Sequence, residues 1–267
     1  MKRVLTIAGS DSGGGAGIEA DIKTIFAMGA YGCTAITAVT AQNTLGVAGV
    51  HALPAAFVAL AIKTVLDDIG VDAIKLGMLA NEAIIRAAAA ALPSGIPLVL
   101  DPVMVATSGA VLLEEGAIAA LRRLLLPRAT LVTPNLPEAA KLTGLPVDTE
   151  AERIAAGRAL LAMGAQAALV KGGHGREEML TDYLITADTV EAISLPRLHS
   201  QNTHGTGCTM ASAIAAGLAQ GMGLSDAVHR ARHYLQEAIR TAPGFGAGHG
   251  PVNHLVLAAS RILRTNE

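Results

Sequence analysis

Apolar and polar positions along the chain follow two alternating rhythms. Short apolar runs, many of them β-branched, occur at Val4–Ala8, Thr34–Val39, Ala73–Leu76, Leu98–Leu100, Thr130–Thr133 and Ala167–Val170. Longer Ala- and Leu-rich stretches lie between them, near Ile18–Ala27, Ala55–Asp68, Asn81–Leu92, Glu114–Leu125 and Glu150–Met163. The short runs read as strands buried on both faces and the long ones as helices. Their alternation predicts an α/β fold with a mostly parallel sheet covered on both sides. Met179–Leu198 alternates instead, as in Val190-Glu191-Ala192-Ile193, and predicts an antiparallel edge hairpin. Three helices near Thr206–Gln220, Ser225–Ala242 and His254–Arg264 close the chain. The Gly- and Pro-containing stretch Thr143–Thr149 reads as a loop, so residues 1–267 are expected to form one domain.

Composition narrows the function classes. Hydrophobic residues make up 51% of the chain against 16% charged, enough for a large core and unlike a disordered chain. A formal charge of −2 and six scattered aromatics give no footprint for nucleic acid or an anionic membrane. Cys33 and Cys208 cannot build a disulfide framework, and a reducing compartment is expected. Lys2 and Arg3 precede an apolar run too short for a signal peptide, and no run approaches the ~18 residues of a membrane span. A cytoplasmic protein is the expectation.

In open α/β sheets ligands sit beyond the C-terminal strand ends, and the suggestive residues cluster there. Gly205-Thr206-Gly207-Cys208 leads into a strong helix former, with the Thr203 hydroxyl nearby. Uncovered N–H groups and the helix dipole at such a start attract phosphate, and they favour the thiolate of Cys208. A buried, inert Cys208 is the alternative, and His204 reads as a structural or loop residue. The glycine-rich Gly9–Gly17 follows a strand and could cradle a ligand or simply turn; it matches neither the P-loop nor the dinucleotide fingerprint. Asn135 and Glu138 could hold Mg2+ through water, with Asp101 at the next strand end; Asn-x-x-Glu is equally a helix cap. Thr149-x-x-Glu152 has the same spacing and reads as a cap alone. Lys171, before two glycines, can reach a phosphate or stay solvated. The Gln42 carboxamide can pair at once with a ring nitrogen and an exocyclic amine.

Taken together these segments resemble the hydroxymethylpyrimidine/phosphomethylpyrimidine kinases of thiamine biosynthesis, within the ribokinase-like superfamily. The matching stretches are IAGSDSGGGAGIEADIKT (Ile7–Thr24), AITAVTAQNTLGV (Ala35–Val47), IKLGML (Ile74–Leu79), LDPVMVATSG (Leu100–Gly109), LVTPNLPEA (Leu131–Ala139), VKGGH (Val170–His174), NTHGTGCT (Asn202–Thr209) and GHGPVNH (Gly248–His254). The resemblance implies a three-layer αβα sandwich and two successive ATP-dependent phosphorylations, of an aminopyrimidine alcohol and then of its monophosphate. It implies that Gln42 reads the pyrimidine while Gly9, Asp21, Met78 and Val105 shape its pocket. Cys208 would be the base, and the N–H groups of Gly205, Thr206, Gly207 and Cys208 would hold the moving phosphoryl group. Asp101, Asn135 and Glu138 would organise Mg2+, with Lys171 and Thr203 beside the nucleotide. A homodimer is also implied.

Glu19 stands where such enzymes often carry glutamine and is expected to face outward. The Met179–Leu198 hairpin matches poorly, and thiamine phosphate synthesis is not expected from the same chain. A pyridoxal kinase, whose relatives share the Gly-Thr-Gly-Cys loop, is the nearest alternative. A non-catalytic pyrimidine-binding protein is the other.

Overall fold

The computed structural model describes residues 1–106, 109–110, 112–114, 116–174 and 178–256. Among them nine strands pair into one sheet: β1 (Arg3–Asp11), β2 (Tyr31–Asn43), β3 (Gly46–Ala52), β4 (Ala73–Leu76), β5 (Leu98–Leu100), β6 (Leu131–Val132), β7 (Ala168–Val170), β8 (Met179–Ile185) and β9 (Val190–Pro196). Their spatial order is β3-β2-β1-β4-β5-β6-β7-β8-β9. The pairs from β2 through β1 to β7 are parallel, and β3, β8 and β9 add antiparallel margins. The helices are α1 (Gly17–Ala27), α2 (Ala55–Asp68), α3 (Glu82–Ala91), α4 (Ala117–Leu124), α5 (Leu136–Thr143), α6 (Glu150–Ala162), α7 (Thr206–Ala219) and α8 (Leu224–Arg240).

Successive strand residues point to opposite faces, and both faces here are apolar. Leu5, Ile7, Ile74, Leu76, Leu98 and Leu100 pack with α2, α3 and α4. Their neighbours Val4, Ala73, Val99 and Leu131 pack with α7 and α8 and with Ile25 of α1. Two helical layers therefore enclose the sheet, as the αβα expectation required. Fully burying one of these Leu or Ile side chains contributes on the order of 1.5–3 kcal/mol, which makes the sheet the rigid base of the molecule.

Most element bounds agree with the hydrophobic pattern, and α2, β4 and β5 agree at both ends. β1 and β2 run further than expected. Beyond a register shift between Ala8 and Ser10 they continue to pair, Ser10 with Val39 and Asp11 with Thr40. Those extensions are polar, so an apolar run could not reveal them. β3, with two glycines and no clear alternation, was not expected from the sequence. The Thr149 and Glu152 side chains form the anticipated capping box, and the edge hairpin is present as β8 and β9. The helix expected over 254–264 falls mostly on residues 257–264, outside the described residues.

Candidate active site

Strand order reverses at β1, whose neighbours β2 and β4 receive the chain on opposite sides. The C-terminal strand ends there surround a cavity of about 620 Å³, a usual size for a small-molecule site. Gly9, Gln42, Met78, Asp101, Val105, Asn135, Glu138, Lys171 and Thr203 all line it, together with Gly205 to Cys208. Asp21 is the exception. It is fully buried and does not line the cavity, which corrects the expectation that its side chain forms part of the pocket wall.

The loop after β1 is tied down by two carboxylates. Asp11 accepts from the N–H of Gly13 at 2.8 Å through Oδ1, and from those of Gly15 and Ala16 at 3.0 and 2.8 Å through Oδ2. Glu19 does not face outward: its two oxygens accept from Ser10 Oγ at 2.6 Å and Asp11 N at 2.7 Å. An acidic residue fits that place because both partners donate. The loop then meets the start of α7. Gly205 has φ +81°, and a Cβ there would overlap the carbonyl oxygen of Gly15. Only glycine lets the two loops approach so closely. No side chain caps α7; the Thr206 N–H makes a long bond of 3.4 Å to the Thr203 carbonyl, and those of Gly207 and Cys208 have no intrahelical partner beside the cavity.

Opposite that helix start stands an ion pair, Lys171 Nζ to Asp101 Oδ1 at 3.0 Å. A Cβ built on Gly207 would lie 3.3 Å from both Lys171 Nζ and Asp101 Oδ2, so glycine here keeps the gap open. Thr133 Oγ1 also donates to Asp101 Oδ1, at 3.1 Å. Asn135 and Glu138 do form a capping box for α5, Glu138 N to Asn135 Oδ1 at 2.9 Å and Asn135 N to Glu138 Oε2 at 2.8 Å. The cap reading and the cavity reading thus hold together, since Glu138 is buried and still lines the space. Burial pushes the Glu138 carboxyl up to about 7; Lys171 pulls it down and Asp101 pushes it further up. Asp101, paired with Lys171, and the buried Glu138 both line the cavity, and their hard oxygen atoms suit Mg2+, whose charge would favour ionised Glu138. Among the described residues no three His, Cys, Asp or Glu side chains converge on one point, so such an ion would keep much of its water.

Cys208 corrects a second expectation. The helix start alone would favour a thiolate, yet burial pushes the thiol up to about 11. Lys75 and a bond from the Gly17 N–H pull it down, while Asp21 and Asp101 oppose them. Lys75 itself is fully buried and lies 2.9 and 2.8 Å from the two oxygens of Asp21. Asp21 also accepts from Thr6 Oγ1 at 2.5 Å and Ser212 Oγ at 2.7 Å, so β1, β4, α1 and α7 are joined through one carboxylate. The lysine inside Ile74-Lys75-Leu76 was a visible signal, a charge within an apolar strand, and sequence reasoning passed over it.

His204 has the structural role its reading allowed, though its partner could not be foreseen. It is buried, its Nε2 lies 2.8 Å from Asp11 Oδ2, and it faces the cavity beside Gln42 at 3.1 Å. No short-range pattern could have joined Asp11 to a histidine 193 positions away.

Phosphoryl transfer depends on positioning and charge stabilisation more than on covalent chemistry. Open helix N–H groups facing a lysine–carboxylate pair across a small cleft answer that need, and with this sheet they define a small-molecule kinase of ribokinase-like fold. The chain belongs to the phosphomethylpyrimidine kinase family, whose model matches residues 11–253. It is 47% identical to the hydroxymethylpyrimidine/phosphomethylpyrimidine kinase of Escherichia coli, over 95% of this chain and 98% of that one. It is 50% identical to the thiamine biosynthesis bifunctional protein ThiED of Geobacter sulfurreducens, covering 96% of this chain but 52%, about half, of that longer one. Among solved structures, Bacillus subtilis pyridoxal kinase in complex with ADP superposes with a TM-score of 0.88 at 36% identity, covering 97% of this chain and 99% of that one. Phosphomethylpyrimidine kinase from Clostridium difficile gives 0.79 at 39% identity, covering 90% of this chain and 100% of that one.

Proposed function

We propose that this chain, as one kinase domain, transfers the terminal phosphoryl group of ATP to the alcohol of 4-amino-5-hydroxymethyl-2-methylpyrimidine. A second transfer to the resulting monophosphate gives the diphosphate used in thiamine biosynthesis. The observation that carries this reading is that Gln42 and Cys208 open on the same cavity. A carboxamide can pair with the adjacent ring nitrogen and amine of that pyrimidine, and the thiolate form of Cys208 near its hydroxymethyl group can take the alcohol proton and become the thiol. Gly9, Met78 and Val105 form the walls around the ring. The N–H groups of Gly205 to Cys208 bind the moving phosphoryl group, and Lys171 neutralises its charge. Thr203, Asn135 and Glu138 stand on the nucleotide side. Asp101, Asn135 and Glu138 would hold Mg2+ through water; bound there, the ion supplies charge neutralisation to the phosphates.

The test is ADP release with Mg2+ and ATP. About two equivalents per aminopyrimidine are expected, with much weaker turnover of pyridoxal. Pyridoxal turnover exceeding that of the aminopyrimidine would establish the second reading, which the TM-score to pyridoxal kinase favours. No ADP with either ring would leave a binding protein. Free Cys33 and Cys208 and the use of ATP support a cytoplasmic setting. No helix among the described residues is long and apolar enough to cross a membrane.

A homodimer through the β3 edge completes the proposal. Among the described residues that edge strand is unpaired on its outer side, and Val50, Leu45 and Val39 are exposed near it. Such an edge invites pairing with a second chain. Light scattering should give a dimer mass that Val50→Glu reduces toward that of one chain; a monomer in the parent protein would dismiss it.

A further inference from the structure

Gln42 ends in a carboxamide whose two ends are told apart only by their hydrogen-bond partners. One end lies 3.1 Å from His204 Nε2, the other 3.2 Å from Thr40 Oγ1. Asp11 fixes what those neighbours offer. Burial opposes ionisation of Asp11, but the bonds from His204 and from the N–H groups of Ala16 and Gly13 prevail and hold its carboxyl below the usual range. An ionised carboxylate only accepts, so the His204 Nε2 that lies 2.8 Å from Asp11 Oδ2 carries a hydrogen. Thr40 Oγ1 has one hydrogen, and the carbonyl of Ser10 takes it at 2.9 Å. With Gln42 Nε2 toward His204 and Oε1 toward Thr40, both contacts fail: two donors meet on one side and two acceptors on the other. Exchanging the amide ends relieves both: Nε2 then donates to Thr40 Oγ1, and Oε1 faces the single hydrogen of His204 Nε2, which is directed at Asp11 Oδ2 and shared with Oε1 as a second, longer acceptor.

We infer that His204, held by Asp11, is a positioning residue that fixes the order of the Gln42 carboxamide and so the direction in which an aminopyrimidine binds. The inference rests on the proposed function and deepens it. Around the ring, N3 is followed by the carbon bearing the amine and then by the carbon bearing the hydroxymethyl group. Amide Nε2 on the Thr40 side donates to N3, and Oε1 on the His204 side accepts from the amine. The next substituent, the alcohol, is carried to the His204 side. His204 directly precedes Gly205, where the open turn of α7 and Cys208 begin. The opposite amide order would reverse the ring and turn the alcohol away. Ser12 steadies the arrangement from behind, accepting from Gln42 N and donating to Gln42 O, both at 2.8 Å.

The 4-oxo analogue of the substrate, with N3–H as donor and C4=O as acceptor, reverses the pattern and makes the test. The parent enzyme should prefer the amine in kcat/KM by roughly 10³ or more, as sites that read hydrogen bonds do. In His204→Phe, which keeps a ring and loses the donor, that ratio should fall at least about tenfold. His204→Gln, whose amide can donate from a similar place, should retain most of it. Thr40→Val removes the other anchor without changing shape and should lower the ratio in the same direction, whatever the folding yield of the histidine variants. A merely structural role would weaken both substrates alike, so an unchanged ratio in folded His204→Phe and Thr40→Val overturns the inference. No turnover of either ring by the parent enzyme would instead remove the functional reading beneath it, and the inference with it.

Discussion

Replacing Cys208 by alanine should slow phosphorylation of the hydroxymethyl group by about 10²–10³, within the range for loss of a general base. Transfer to the monophosphate should fall much less, because its phosphate oxygen is already ionised and needs no proton removed. The structure adds a pH signature. The thiol is pushed up to about 11, so near pH 7 almost all of it is protonated and its charged form is scarce. Deprotonation rises about tenfold for each pH unit below that value. The first reaction should therefore accelerate between about pH 7 and 9 in the parent enzyme, while Cys208→Ala and the second reaction stay nearly flat. Single-turnover rates for the two steps provide the measurement. Equal losses in both, or a first step indifferent to pH, would show that Cys208 takes no proton.

The largest loss of stability is expected from Lys75→Met. Asp21 and Lys75 are both fully buried, their groups 2.8 Å apart. A buried pair contributes little relative to an apolar pair of the same shape, but removing one partner strands the other charge. Methionine preserves most of the volume and leaves Asp21 with only the hydroxyls of Thr6 and Ser212. The cost should be about 3–5 kcal/mol. In a chain of this size that corresponds to a melting point lower by roughly 10 °C. The double variant Asp21→Asn/Lys75→Met should recover part of the loss, since no charge is then left unpaired. A single variant within about 1 kcal/mol of the parent in denaturant unfolding would contradict this account. The same pair lies below the cavity and influences Cys208, so the substitution should also reduce the first phosphorylation.

The residues gathered at the strand ends were legible because each stands where an apolar run stops. Asp101 and Lys171 directly follow β5 and β7, Asn135 comes just after β6 beyond Thr133 and Pro134, and the parallel pairing of those strands brings their ends together. Glu138 was legible as a cap, which the capping box of α5 bears out, and the same buried side chain also lines the cavity. The polar ends of β1 and β2 were not, since only the partner strand, and no periodicity, extends them as far as Asp11 and Asn43. Asp21 looked like a pocket residue by resemblance; its actual neighbour, Lys75, lies 54 positions further along.

By itself the sequence determined the alternation of strands and helices, the parallel sheet and the glycine-opened start of α7. These follow from periodicity and backbone freedom within a few residues of one another. Tertiary structure alone decided the protonation of Cys208, the partner of Asp21 and the bond from His204 to Asp11. Each of these depends on burial and on groups brought close across the fold, and electrostatic energy is set by distance and surroundings rather than by order along the chain.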